Sequence, residues 1–172
     1  MIIGDGMIAA SFNKLEDNFS DYVLFASGVS NSRCLDFTEF EREFSLLKSM
    51  LKFKKKLIYF STSSIYDASL GSSLYVKHKL KLESFVQKNF KEYIIYRLPN
   101  VIGKTKNKHT LINNFAESIH AGNLVELFKY STRYIMDIEH VVNYVMLTKH
   151  AYNCIINLNF NVNYKIPQIW EE

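Results

Sequence analysis

Tyr75 and Lys79 stand in the run Leu74-Tyr75-Val76-Lys77-His78-Lys79, at the spacing that puts two side chains on one face of a helix. An ammonium beside a phenol favours the phenolate, so such a pair can pass a proton to or from a ligand hydroxyl. With 11 Tyr in the chain, the same spacing also arises in ordinary surface or half-buried contacts. Position adds to the signal. Upstream, Thr62 closes the apolar run 57–61, which reads as a buried strand. A hydroxyl at the carboxyl end of a strand is where ligands of open α/β sheets bind.

A second constellation lies at the amino terminus. Residues 1–3 read as a strand that leads into Gly4-Asp5-Gly6-Met7-Ile8-Ala9, a G-x-G-x-x-A turn opening a short helix that ends near Leu15. Small residues let a backbone turn approach a pyrophosphate, and the helix start adds donors and positive dipole. The same residues also suit a plain tight turn. The fingerprint expects an acid about 20 residues on, to hold the adenine ribose. Residues 24–28 read Leu-Phe-Ala-Ser-Gly, with no acid.

The elements that must position these groups alternate along the chain. Strand-like runs fall at 22–26, 57–61 and 93–97, the last closed by Pro99. Phe37, Phe40, Phe44, Leu47 and Leu51 recur in steps of three and four, the stripe of an amphipathic helix. Thr38 and Glu41 resemble a capping box at its start. The helix carrying Tyr75 and Lys79 spans 74–90. This βαβα order predicts a parallel sheet with helices on its faces. Past Gly103 come a lysine-rich loop, a helix at 111–121 stopped by Gly122, a short run at 124–128, a helix at 139–150 and a strand at 154–158. Pro167 suits a helix start. There is no internal repeat and no low-complexity linker.

Composition bounds the class. The 172 residues suit one domain, and 48% hydrophobic with 22% charged residues is ordinary for a globular protein. No apolar run approaches the roughly 18 residues of a membrane span, and the start lacks the pattern of a signal peptide. The expectation is a cytoplasmic protein. Cys34 and Cys154 have no metal-ligand spacing, which predicts reduced thiols and no metal site. The net charge of +4 has its densest cluster at 52–56, where cations complement a helix end. No nucleic-acid motif accompanies it.

Taken in order, these elements resemble the extended short-chain dehydrogenase/reductase family, whose members include NAD-dependent nucleotide-sugar epimerases, dehydratases and reductases. The resemblance rests on the glycine turn, Ala26-Ser27-Gly28, Ser61-Thr62-Ser63-Ser64-Ile65-Tyr66, Tyr75-x-x-x-Lys79 and Arg97-Leu98-Pro99-Asn100-Val101-Ile102-Gly103. Arg133-Tyr134-Ile135-Met136-Asp137-Ile138 and Ile156-Asn157-Leu158 are similar to later family segments. It implies a Rossmann-like, doubly wound, mostly parallel α/β sheet in a single domain over 1–172, with 104–172 contributing a partial substrate lobe.

By the same resemblance Tyr75 is the general acid/base, Lys79 holds the nicotinamide ribose and tunes the phenol, and Thr62 binds the reacting hydroxyl. NAD or NADP would lie against Gly4, Gly6, Met7, Ile8, Ala26, Ser27, Gly28, Tyr75, Lys79 and Asn100. A nucleotide sugar would meet Ser63, Asn100 and Arg133. Asn100 also suits a loop cap, Arg133 a surface cation, and Ser27 and Gly28 a strand-end turn. His140 replaces an acid of the family pattern and reads as a helix-face residue. Dehydratases carry Asp-Glu after the threonine, where this chain has Ser63 and Ser64, so epimerisation or carbonyl reduction is expected, and the family analogy implies a place in surface-polysaccharide synthesis. The family dimerises through helices equivalent to 37–53 and 74–90, which implies a homodimer, and the aromatic stripe suits either that interface or the core.

Two departures stand beside the matches. The family places two more strands between the glycine turn and Ala26-Ser27-Gly28, and each crossover unit needs roughly 30 residues. The first strand here should therefore be a sheet edge, with its helix crossing to the face opposite the next one. The carboxyl end is also short for a substrate lobe. The alternative to an enzyme is a non-catalytic shortened relative that binds a nucleotide or a partner protein.

Overall fold

The computed structural model describes residues 1–105, 110–123, 132–159 and 163–165. Five strands form a parallel sheet: β1 (Ile2–Ile3), β2 (Tyr22–Phe25), β3 (Lys56–Thr62), β4 (Tyr93–Leu98) and, after two strands of a second sheet, β7 (Cys154–Asn157). Their spatial order is β1-β2-β3-β4-β7, each pair parallel. β1 is the sheet edge, as the missing crossover requires. The second sheet holds β5 (Asn100–Ile102), β6 (Thr132–Asp137) and β8 (Asn163–Lys165), with β5 parallel and β8 antiparallel to β6.

The strands bury both faces because their side chains alternate with period two. On one face Leu24, Ile58, Ile94 and Tyr96 pack with Phe12 of α1 (Met7–Phe12) and with Val141 and Val145 of α5 (Ile138–Thr148). On the other, Val23, Phe25, Leu57, Tyr59 and Ile95 pack with Leu47 of α2 (Phe37–Ser49) and Leu82 and Val86 of α3 (Leu74–Asn89). The helix after the glycine turn thus lies opposite α2 and α3. This is the doubly wound arrangement expected from the sequence. The remaining helix, α4, spans Leu111–His120.

Several boundaries differ from the sequence reading. α1 ends at Phe12 and is followed through Phe19 by 3-10 turns that kink at Leu15, where the backbone leaves helical geometry. The capping box at Thr38 is not formed. Asp36 is the cap, its carboxylate accepting from the Thr38 N–H at 2.8 Å. Phe37, the first residue of the aromatic stripe, is exposed, while Phe40 and Leu47 are buried. α5 starts at Ile138, capped by Asp137. His140 is exposed on it. The run 124–128 and Pro167 lie outside the described residues.

Candidate functional site

Three turns meet at the carboxyl ends of the parallel strands. Gly4 closes β1 with φ +129°, and a Cβ there would lie 2.6 Å from the Ala26 carbonyl oxygen, so the first turn touches the Ala26-Ser27-Gly28 turn after β2. Ala26 N–H donates to the Ile3 carbonyl at 2.7 Å. Gly6 caps α1 in extended conformation, and a Cβ on it would meet nothing within 4 Å. Packing therefore does not demand glycine at 6, which leaves open space above the turn. Met7 and Ile8 turn their side chains into the core.

Thr62 is the last residue of β3, and its Oγ1 accepts from the Ser64 N–H at 3.1 Å. That bond starts the 3-10 turn Ser63–Tyr66. Ile65 of this turn packs against a cluster of Tyr75, Val76, Val29 and Phe40, which brings the threonine turn to the first turn of α3. Tyr75 is buried, and its hydroxyl has no hydrogen-bond partner among the described residues. Lys79 Nζ lies 5.7 Å from the Tyr75 ring centroid. The two share a face as the spacing required.

The lysine has a partner that the sequence reading did not name. Glu43 of α2 is fully buried and its carboxylate accepts from Lys79 Nζ at 2.8 Å, His78 Nε2 at 3.0 Å, the Tyr59 hydroxyl at 3.1 Å and the Val29 N–H at 2.8 Å. Burial by itself pushes this carboxyl up, but the Lys79 charge and the hydrogen bonds from His78, Lys79 and Val29 outweigh it and hold it at about 2. Burial, then the Glu43 charge, push the Tyr59 phenol well above its ordinary value. The His78 ring stacks on Phe40 with centroids 4.5 Å apart. A Cβ on Gly28 would lie 2.7 Å from Lys79 Nζ and 2.9 Å from Glu43 Oε1. The missing side chain at 28 makes room for this ion pair.

One turn further along α3, Glu83 accepts from Ser61 Oγ at 2.6 Å and, in a fork, from Arg97 Nε at 3.0 Å and Nη2 at 2.6 Å. Arg97 also donates to the Tyr66 hydroxyl, which donates to Asn157 Oδ1 at 2.8 Å. Hydrogen bonds to Glu83, against the effect of burial, raise the Arg97 value above its ordinary one. Arg97 thus braces β3, β4 and β7 rather than facing a ligand.

The remaining predicted residues sit apart. Ser27 offers its carbonyl and hydroxyl to Arg42 Nη1, both at 3.2 Å. Asn100 belongs to the second sheet, where its Nδ2 donates to the Tyr134 carbonyl at 3.2 Å. Arg133 is on β6, donating to the Thr132 carbonyl at 2.8 Å. Ser63 is half-buried at the head of the 3-10 turn.

A family-wide sequence model, described as the NAD dependent epimerase/dehydratase family, matches residues 10–158. The chain belongs to that family. Among curated proteins none matches its sequence significantly. Solved structures of similar fold include a UDP-N-acetylglucosamine 4-epimerase of Methanobrevibacter ruminantium in complex with UDP-N-acetylmuramic acid, at 19% identity and TM-score 0.67, covering 88% of this chain and 58% of that one. A UDP-glucose 4-epimerase of Thermotoga maritima with UDP-glucose gives 20% and 0.68, covering 96% and 62%. A dTDP-glucose 4,6-dehydratase of Bacillus anthracis in complex with NAD gives 15% and 0.69, covering 96% and 59%. The chain therefore spans about three fifths of the length of these structures, and at such identities the likeness speaks for the fold.

Whether this family member's residues suit a nicotinamide dinucleotide differs between the two halves. At the nicotinamide end they fit. An ammonium has three donors, and Lys79 gives one hydrogen bond among the described residues, to Glu43. Together with the free Tyr75 hydroxyl and the open space at Gly6, this leaves unmet donors and a cradle beside the three turns. At the adenosine end, β1 is the sheet edge and residues 24–28 supply no acid.

Proposed function

We propose that this chain binds a nucleotide-activated sugar and, with NAD or NADP, acts on it as an epimerase or carbonyl reductase. The observation that carries this reading is the placement of Thr62 at the end of β3 beside the α3 turn bearing Tyr75 and Lys79. The dinucleotide, when bound, supplies a hydride acceptor or donor for the sugar carbon. Tyr75 moves the proton of the sugar hydroxyl at its phenolic oxygen. Thr62 Oγ1 orients that hydroxyl, and Lys79 meets the ribose with the donors left over from Glu43. Ser63 and Ser64 offer no carboxyl for removing a proton beside a carbonyl, so dehydration is not the reaction assigned. Asn100 and Arg133, on the second sheet, are assigned to the nucleotide phosphates, and residues 104–172 to a partial substrate lobe. Neighbours of the same fold are complexes with UDP-sugars or with NAD, which supports the ligand class.

Related features follow from the same reading. Exposed Leu35 and Phe37 before and at the start of α2, with exposed Leu80 on α3, support a homodimer through these helices. Among the described residues no helix is long and apolar enough to cross a membrane. A cytoplasmic place in surface-polysaccharide synthesis accords with the proposed substrate.

A second reading is favoured by the edge position of β1. Without further strands to wall the adenosine, the chain would bind a nucleotide or partner without turnover. Titration with NADH and with NADPH, followed by nicotinamide fluorescence, separates the two when joined to a turnover assay on a panel of nucleotide sugars. Binding with turnover supports the enzyme. Binding without turnover supports the second reading, and failure of both cofactors to bind at millimolar levels refutes the first.

A further inference from the structure

We propose that Glu43 is the positioning residue for Lys79, fixing its ammonium against the Gly28 turn at the place from which it meets the cofactor ribose. This rests on the reading of Lys79 as the ribose anchor. A lysine ammonium rides on a flexible four-carbon stem, so a lysine expected to hold one ribose needs a second constraint. Here the constraint is a single carboxylate. It takes Lys79 Nζ at 2.8 Å with one oxygen and the Val29 N–H at 2.8 Å with the other. The same group thereby sets both the lysine and the backbone of the turn that would carry the cofactor. His78 and Tyr59 occupy its remaining acceptor positions, so the carboxylate itself is held from α3 and β3.

A purely structural role explains less. Removing one partner of a buried ion pair is costly, but apolar side chains of the same volume in place of both would hold the fold as well or better, and α2 already packs through Phe40 and Leu47, so stability alone does not call for charges here. Glycine at 28 is explained by the pair, since a Cβ would strike both Nζ and Oε1. Glu43 touches no ligand in this scheme. It acts through Lys79, and its effect should vanish when Lys79 is absent.

The test uses the whole chain and two readouts. Reductive methylation with formaldehyde and dimethylamine borane, quantified on peptides by mass spectrometry, reports the accessibility of each lysine amine. Lys79 is buried while Lys77 on the same helix is exposed. In the unaltered chain Lys79 should react roughly tenfold or more slowly than Lys77, and Glu43→Gln should bring it to within about threefold of Lys77 by letting the amine leave its site. Glu83→Gln, which loosens the Arg97 brace instead, should leave Lys79 protected. Glu43→Asp keeps the charge but draws it back by one methylene, and should give an intermediate rate in a chain that folds even where Glu43→Gln does not.

Equal Lys79 labelling in the unaltered chain and in both Glu43 variants overturns the proposal. So does labelling in Glu83→Gln as fast as in Glu43→Gln, which would mean general loosening. NADH fluorescence gives the second readout. Affinity should fall roughly tenfold in Glu43→Gln and in Lys79→Met, and the double variant should bind no more weakly than Lys79→Met alone. Additive losses overturn the proposal. If the unaltered chain binds no NADH, the function proposed above fails, and the labelling result still decides the role of Glu43.

Discussion

Acid should attack this protein at Glu43. In the unfolded chain the carboxyl titrates near its ordinary 4.5, and in the folded protein it is held at about 2. A depressed folded value adds stability that is fully present above the unfolded value and is lost as pH falls through the folded one. The window is therefore from about 4.5 down to about 2. The difference corresponds to about 3 kcal/mol at neutral pH, a large share of the ~5–15 kcal/mol that holds a domain together. Urea unfolding followed by circular dichroism at steps of pH between ~6 and ~2 would measure it, against Glu43→Gln. The variant keeps the shape but has no proton to gain. It should start lower at neutral pH, by about 3 kcal/mol, since Lys79 is then buried beside a neutral group. Its stability should fall less on acidification, by a similar amount. Parallel pH curves for the two proteins would refute the argument. So would a Glu43 carboxyl that titrates by carbon NMR near 4.5 in the folded protein.

Gly4→Ala should cost about 2–4 kcal/mol in thermal or urea unfolding, because its φ of +129° and the Ala26 carbonyl at 2.6 Å both exclude a Cβ; an unchanged melting temperature would remove the contact between the two turns. Tyr75→Phe should lower turnover on any accepted nucleotide sugar by roughly a hundredfold or more while NADH affinity changes less than about threefold, and undiminished turnover would refute the proton role. Arg97→Met should destabilise by about 3–5 kcal/mol, because it leaves the buried Glu83 carboxylate without its fork of donors. A loss below about 1 kcal/mol would show the pair to be no brace.

The parallel sheet was legible because its strands are short apolar runs separated by helical stripes, and the parallel arrangement leaves few alternatives. The edge position of β1 followed from chain length between two turns. The shared helix face of Tyr75 and Lys79 was legible from their spacing, and their place after Thr62 singled the pair out from ordinary contacts. Glu43 was not, because charged residues on a surface helix are ordinarily solvated and Glu39 and Glu41 lie beside it. One signal was available. Glu43 stands three residues after Phe40 and four before Leu47, inside the apolar stripe, and an acid there must find a cation. The cap of α2 was misplaced for a local reason: Thr38 donates its own N–H to Asp36, so the helix begins two residues before the assumed box. Asn100 and Arg133 were placed beside a ligand by motif position; what spacing did not reveal is that both stand on a second sheet, bonded to backbone carbonyls of β6.

Tyr75, Lys79 and Glu83 lie at successive steps of four on α3, and each is fastened by a different element. The Tyr75 ring packs on Val29 and Phe40, Lys79 is bonded to Glu43 of α2, and Glu83 is bonded to Ser61 of β3 and Arg97 of β4. Among the described residues none of these fastenings comes from β1. The strands that the family places beyond β1 could therefore be absent without shifting α3, because the helix takes its register from the middle of the sheet. The same independence works against the cofactor. Among the described residues nothing that holds Tyr75 in place also builds an adenosine wall, so order at the Tyr75 and Lys79 face and affinity for a dinucleotide should vary independently.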